Sequence, residues 1–243
     1  MALARINRGN WTLPQGTSSN RSLTSASFSP AGGALLLVMG SQFASGAGNN
    51  LFTMSSTFTG QGAWTVRSII QDDGSANFLG SFIAWSVCGS SPGTGTVTMT
   101  GKSGRITTSI FMEIIEITGA TGSPETQQVT NASTGSSLAT DFVAPPGGRS
   151  YCFFTALDTS ALTVPSGTTA LATASMTSSG WVAANAEILG SATQANSWTT
   201  GGSWTTGVAM EIAEMIIPVP ALRFRGGVLF GNNRIIDSPV RRF

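Results

Sequence analysis

The chain has 243 residues, of which 9% are charged, a formal net charge of +1 and no histidine. Without histidine there is no Ser-His-Asp triad, no Cys-His pair and no imidazole metal ligand. The length suits one large domain or two of roughly 100 residues, and a net charge near zero promotes association.

Residues 1–21 read as an irregular N-terminal arm, with Pro14 and Gly16 and with Arg5, Arg8 and Arg21 unopposed by any acid. MALARINRGNW lacks the apolar core of a secretory signal, so export by another route, such as lysis, or retention in the cell is expected. Trp11 is suited to anchoring this arm in a neighbour's pocket. From Ser22 the pattern becomes β. LTSASF alternates hydroxyl and apolar residues, Pro30 to Gly33 is a turn signal, and Ala34 to Met39 suits a strand buried on both faces. That run is also the longest apolar one, too short to span a membrane.

The runs LFTMSSTF, AWTVRSII, FLGSFIAWSV, TVTMT and ITTSIFMEIIEI follow, separated by turns rich in Gly, Asn, Asp and Ser. Strand-length runs at this spacing predict an all-β sandwich or barrel. Ile106–Ile117 is rich in Ile, Thr and Phe and is read as a strand although Glu113 and Glu116 sit three apart. Residues three apart on a strand face opposite sides, so this pair forms no two-carboxylate site, and neither do Glu211 and Glu214. Glu187 is the remaining candidate acid, and strand-face or edge charge is the simpler role for all five. Asp72-Asp73-Gly74 with Asn77 reads as Asx-rich turn chemistry and lacks the ligand spacing of a calcium loop. Lys102 is the only lysine and lies in the turn GKSG, which argues against Ser-Lys chemistry.

The second half repeats this grammar. Residues 136–154 parallel residues 21–38, matching Phe142 to Phe28 and Gly147-Gly148 to Gly32-Gly33. Residues 205–215 parallel 107–117, matching Met210-Glu211-Ile212 to Met112-Glu113-Ile114 and Glu214 to Glu116. A period near 100 residues is the size of a whole sandwich domain. The expected organisation is an arm (1–21), a first β-sandwich (22–120), a second (121–218) beginning with the linker TGSPETQQ, and a C-terminal arm or hairpin (219–243). One large jelly roll built from both halves stays open. In the C-terminal arm RFRGGVLF reads as a strand, GNN as a turn and RII as a short apolar strand. Cys88 and Cys152 read as buried free thiols in preference to a disulfide pair, and no CxxC or Cys/His cluster marks a zinc site.

Charge is placed unevenly. Arg223, Arg225, Arg234, Arg241 and Arg242 face one acid, Asp237, in the last 23 residues, while residues 22–220 are net acidic. This reads either as solvated tails or as arms that dock on acidic neighbours. No dense basic run exists, so nucleic acid is not an expected partner. Trp64, Trp85 and Trp181 lie in strand patterns and read as core. Trp198 and Trp204, in NSWTTGGSWTTG, read as a more exposed ligand or subunit contact.

The order F-x-P-x-G-G, apolar strand, Gly-rich turns and a strand closing as EITG resembles jelly-roll-like β-sandwich modules that occur, often in tandem, in phage virion proteins and bacterial surface proteins. FSPAGGALLLV, VPSG and IEITGA carry the likeness over residues 22–218, and the second unit departs from it with EMIIPVP and SYCFF. The resemblance implies two tandem antiparallel sandwiches, no catalytic residues and a setting in the virion after synthesis in the host cytoplasm. The expected function is a non-enzymatic virion structural protein, a capsid decoration or tail component, without cofactor. It would be a homo-oligomer contacting other virion proteins through Arg5, Arg8, Trp11, Arg223, Arg225, Arg241, Arg242 and Phe243. Cutting 1–20 or 221–243 is then expected to abolish incorporation and leave the body folded. The alternative is a carbohydrate-binding or host-adhesion module with Trp198 and Trp204 against a host-surface glycan.

Overall fold

A computed structural model describes residues 3–14, 16, 21–45, 51–72, 77–102, 107–133, 137–139, 149–157, 169–176, 181–189, 197–199, 203–214, 223–224, 227–230 and 234–235. Among these the chain is all-β, its paired strands are antiparallel, and there is no helix.

Eight strands come from the first half: β1 (Ala4–Leu13), β2 (Ser22–Thr24), β3 (Leu35–Ser45), β4 (Leu51–Ser56), β5 (Thr65–Asp72), β6 (Asn77–Val87), β7 (Val97–Lys102) and β8 (Thr107–Thr118). They form a large sheet in the order β1-β8-β3-β6-β5 and a small sheet in the order β2-β7-β4. The second half supplies β9 (Ala120–Ser133), β10 (Ser137–Ala139), β11 (Arg149–Leu157), β12 (Thr169–Met176), β13 (Trp181–Leu189), β14 (Ser197–Thr199) and β15 (Ser203–Glu214). These form a second large sheet, β12-β13-β11-β15-β9, and a two-stranded small sheet, β10-β14. Counted from β9, the second set repeats the first. β9, β15, β11, β13 and β12 take the places of β1, β8, β3, β6 and β5, and β10-β14 that of β2-β7. Strand β4 has no counterpart among the described residues.

The first large sheet is apolar on both faces, which is why Ala34 to Met39 reads as an unbroken apolar run. Leu36, Val38, Phe82 and Met112 close on Leu23, Phe52 and Met99 of the small sheet. Leu35, Leu37, Met39, Ile83, Ile115 and Ile117 close on Tyr151, Val208, Met210 and Ile212 of the second large sheet. Three layers therefore stack small sheet, large sheet, large sheet.

Several expectations are revised. The N-terminal arm is not irregular from end to end. Residues 4–13 are an edge strand, paired with β8 from Ala4↔Thr118 to Leu13↔Ile110. Cutting 1–20 would remove a strand from the first large sheet, so the body would not be left intact. The segment read as the linker TGSPETQQ lies within β9, paired with β15. Only Gly119, at φ +85°, separates β8 from β9. That left-handed backbone suits glycine and makes the join a tight corner instead of a tether. RFRGGVLF is not one strand: β16 (Arg223–Phe224) and β17 (Gly227–Phe230) pair with each other, and β17 also pairs with β18 (Arg234–Ile235).

Candidate functional site

Two ion pairs among the described residues are made from β1. A register shift between Asn7 and Gly9 places a β-bulge at Arg8, and an extra residue in one strand changes the alternation beyond it. Arg5 and Asn7 point towards the second large sheet. After the bulge Trp11 and Leu13 join the apolar cluster on the small-sheet side.

Arg8 lies on fully buried Glu116 of β8. Its Nε donates to Glu116 Oε2 at 2.7 Å, its Nη2 reaches the same oxygen, and Nη2 also donates to the Ser29 carbonyl at 3.1 Å. The Ala31 backbone N–H donates to Glu116 Oε1 at 2.9 Å. The guanidinium stands 5.5 Å from the centre of the Phe28 ring, within cation–π range. Glu116 thus gathers β1, β8 and the turn that follows Phe28.

Arg5 reaches the other way. Its Nε is 3.1 Å from Oε2 of Glu187 on β13, and the hydroxyl of fully buried Tyr151 donates to Oε1 of the same carboxylate at 2.9 Å. This ion pair joins the two large sheets. Between them, Asn7 Nδ2 donates to Oε1 of buried Glu113 at 2.7 Å. Glu113 and Glu116 therefore face opposite sides of β8 and serve different neighbours. Their sequence carries no signal for this beyond the alternation of a strand.

Cys88, just after β6, is buried and free. Burial, then the negative charge of Glu116, pushes its thiol up to about 11 from an ordinary 9.0, with Arg8 opposing. Burial favours the neutral thiol, so its stabilising effect is complete below pH 9 and is lost as pH rises from 9 towards 11. Denaturant unfolding across that window should show a loss of roughly 2 kcal/mol at most, and Cys88→Ala should remove this slope. Equal slopes for the two proteins would sink the assignment.

A third feature was missed in the sequence. The outward face of the first small sheet is a grid of hydroxyls. Strand register aligns Ser22, Thr100 and Thr53 in one row and Thr24, Thr98 and Ser55 in the next. Ser22 Oγ and Thr100 Oγ1 are 2.8 Å apart, and Thr24 Oγ1 and Thr98 Oγ1 2.9 Å. All six residues are exposed or half-buried. The signal was present as hydroxyl-apolar-hydroxyl triplets, SLT, TMT and TMS, spread over 78 positions of separation at most.

Of the residues expected at assembly contacts, Arg5 and Arg8 are engaged on carboxylates of their own chain and Trp11 is half-buried against the apolar cluster. Arg223 lies in β16, while Arg225, Arg241, Arg242 and Phe243 lie outside the described residues. Trp198 pairs with Leu138 in the register that pairs Met99 with Leu23 in the first half. Trp204 lies in β15. Trp64 and Trp85 are half-buried against the two apolar clusters. Among the described residues no group of three or more Cys, Asp or Glu is placed to hold a metal ion. Comparison with family models, with curated proteins and with solved structures finds no match to this chain.

Proposed function

We propose that this chain is a non-enzymatic structural subunit of a bacteriophage virion, on the capsid surface or at the tail, acting as a homo-oligomer. The observation that supports this most is the strand order. The pairs β1-β8-β3-β6 and β2-β7-β4 follow the wrap of a jelly roll, with β5 beside β6 at the edge of the large sheet instead of beside β4, and the jelly roll is an architecture used by capsid proteins, lectins and cupins. The order β9-β15-β11-β13 with β10-β14 follows it again. We read the chain as two tandem jelly-roll-like sandwiches set back to back through their large sheets, with β1 belonging to the first. A cupin-type metal site has no histidine to use. The described ion pairs are spent on holding strands together, and the exposed small sheet carries hydroxyls. Such a body suits a subunit packed among others.

In this reading the C-terminal residues Arg223, Arg225, Arg241, Arg242 and Phe243 reach acidic neighbours. Mass spectrometry and electron-microscopy localisation in purified particles should find the protein at a fixed copy number on the capsid or tail. Truncation of residues 221–243 should leave the melting transition in place and abolish incorporation. Absence from particles, or wild-type occupancy by the truncated chain, would overturn the corresponding part of the proposal.

A further inference from the structure

We propose that the hydroxyl grid of the first small sheet is a contact surface for the same grid on a second copy of this chain. This deepens the reading of the chain as an assembly subunit and rests on it.

Four observations carry the inference. First, the two rows hold Ser22, Thr24, Thr53, Ser55, Thr98 and Thr100, and the nearest charged position in register, Lys102 opposite Leu51, falls in the next row at the end of β7. Each hydroxyl both donates and accepts, so like can meet like without stranding a donor, and a chain of net charge +1 adds little repulsion. Second, the grid has the spacing of a β-sheet, about 4.8 Å between strands and about 6.8 Å between rows on one face. A partner commensurate with it is another sheet of the same composition. Third, the chain already joins two sheets through hydroxyls. Ser81 Oγ of the first large sheet lies 2.8 Å from Thr155 Oγ1 and 2.7 Å from Thr206 Oγ1 of the second, all three fully buried. Fourth, the pattern recurs at the matching place in the second half. Ser137↔Thr199 and Ala139↔Ser197 take the register positions of Ser22↔Thr100 and Thr24↔Thr98, so three of four positions again carry a hydroxyl.

The patch is small. Three short strands cover roughly a third of the ~800 Å² per partner that a standard interface buries. The contact is therefore weak singly and gains strength where many copies are held side by side.

Sedimentation velocity on the purified full chain, from about 1 μM to 1 mM, tests this without any particle, so its failure is separate from failure of the virion reading. Wild type should show reversible, concentration-dependent self-association. Thr98→Arg places a cation in the middle of the grid and should weaken it about tenfold or more. Ala63→Arg adds the same charge at an exposed turn outside the grid and should leave association unchanged. If Thr98→Arg fails to give a cooperative melt, Thr98→Val replaces it and should weaken association by removing the hydroxyl alone. A wild type that stays monomeric throughout, a grid variant that associates like wild type, or equal weakening by Ala63→Arg would each overturn the proposal.

Discussion

Arg8→Ala should lower the unfolding free energy by about 3 kcal/mol. Removing one partner of a buried ion pair costs roughly 3–5 kcal/mol because the remaining charge is left without compensation. The lower end applies here because the Arg8 side chain is 23% exposed, whereas Glu116 is fully buried. Once the guanidinium is gone, the donor left on Glu116 among the described residues is the Ala31 N–H. The variant must open this edge or protonate the acid. Denaturant unfolding at neutral pH measures the loss. The double variant Arg8→Ala/Glu116→Gln should recover more than half of it, since a neutral amide is far cheaper to bury than a carboxylate. A single-variant loss under about 1 kcal/mol would mean a solvated surface pair and would remove Arg8 as the fastening of β1.

Gly40→Ala should cost a similar amount, about 3 kcal/mol, for a steric reason. A Cβ at residue 40 would lie 2.5 Å from the Phe82 ring and 2.6 Å from the Phe111 carbonyl oxygen. The ring cannot simply retreat, because it packs at 4.6 Å against Phe52, and Phe52 itself lies over Gly80, where a Cβ would come within 2.9 Å of it. The carbonyl belongs to the neighbouring strand and moves only with the sheet. Overpacking of this kind costs roughly 1–3 kcal/mol and occasionally more. Adding Phe82→Leu to Gly40→Ala should return part of the loss by clearing the ring, but not the part due to the carbonyl. Gly40→Ala with a wild-type denaturation midpoint would show that the two large side chains are not packed as described.

Most strands were legible because apolar runs and Gly-rich turns alternate clearly from Leu35 to Thr118. The N-terminal strand was not. The bulge at Arg8 and Gly9 shifts its alternation, and its polar residues are the ones that meet buried carboxylates. The segment TGSPETQQ resembled a linker because it holds Gly, Ser and Pro. It lies in β9, an edge strand with register shifts around Glu211 and Glu214, and an edge is where a sheet tolerates proline. The repeat was legible in its order but not in its phase. Met112 packs towards the first small sheet and Met210 towards the first large sheet, so the matched Met-Glu-Ile triplets occupy opposite faces. Glu116, not Glu113, shares the orientation of Glu211. A one-residue shift swaps the faces of a strand, and where both faces are apolar the sequence gives no warning. The partners of Arg5 and Arg8 were hidden for another reason: Glu187 and Glu116 lie far away in the chain, and pairing across sheets leaves no local pattern.

A sheet buried on both sides also sets an order on biosynthesis. When β8 has been made, the first large sheet and its small partner can close, yet Leu35, Leu37, Met39, Ile83, Ile115 and Ile117 still lack the cover that Val208, Met210 and Ile212 provide. That cover ends at residue 214. At ~5–20 residues per second, the nascent chain carries an uncovered apolar face for roughly 5–20 s, a window in which a chaperone or a neighbouring nascent chain competes with its own second half.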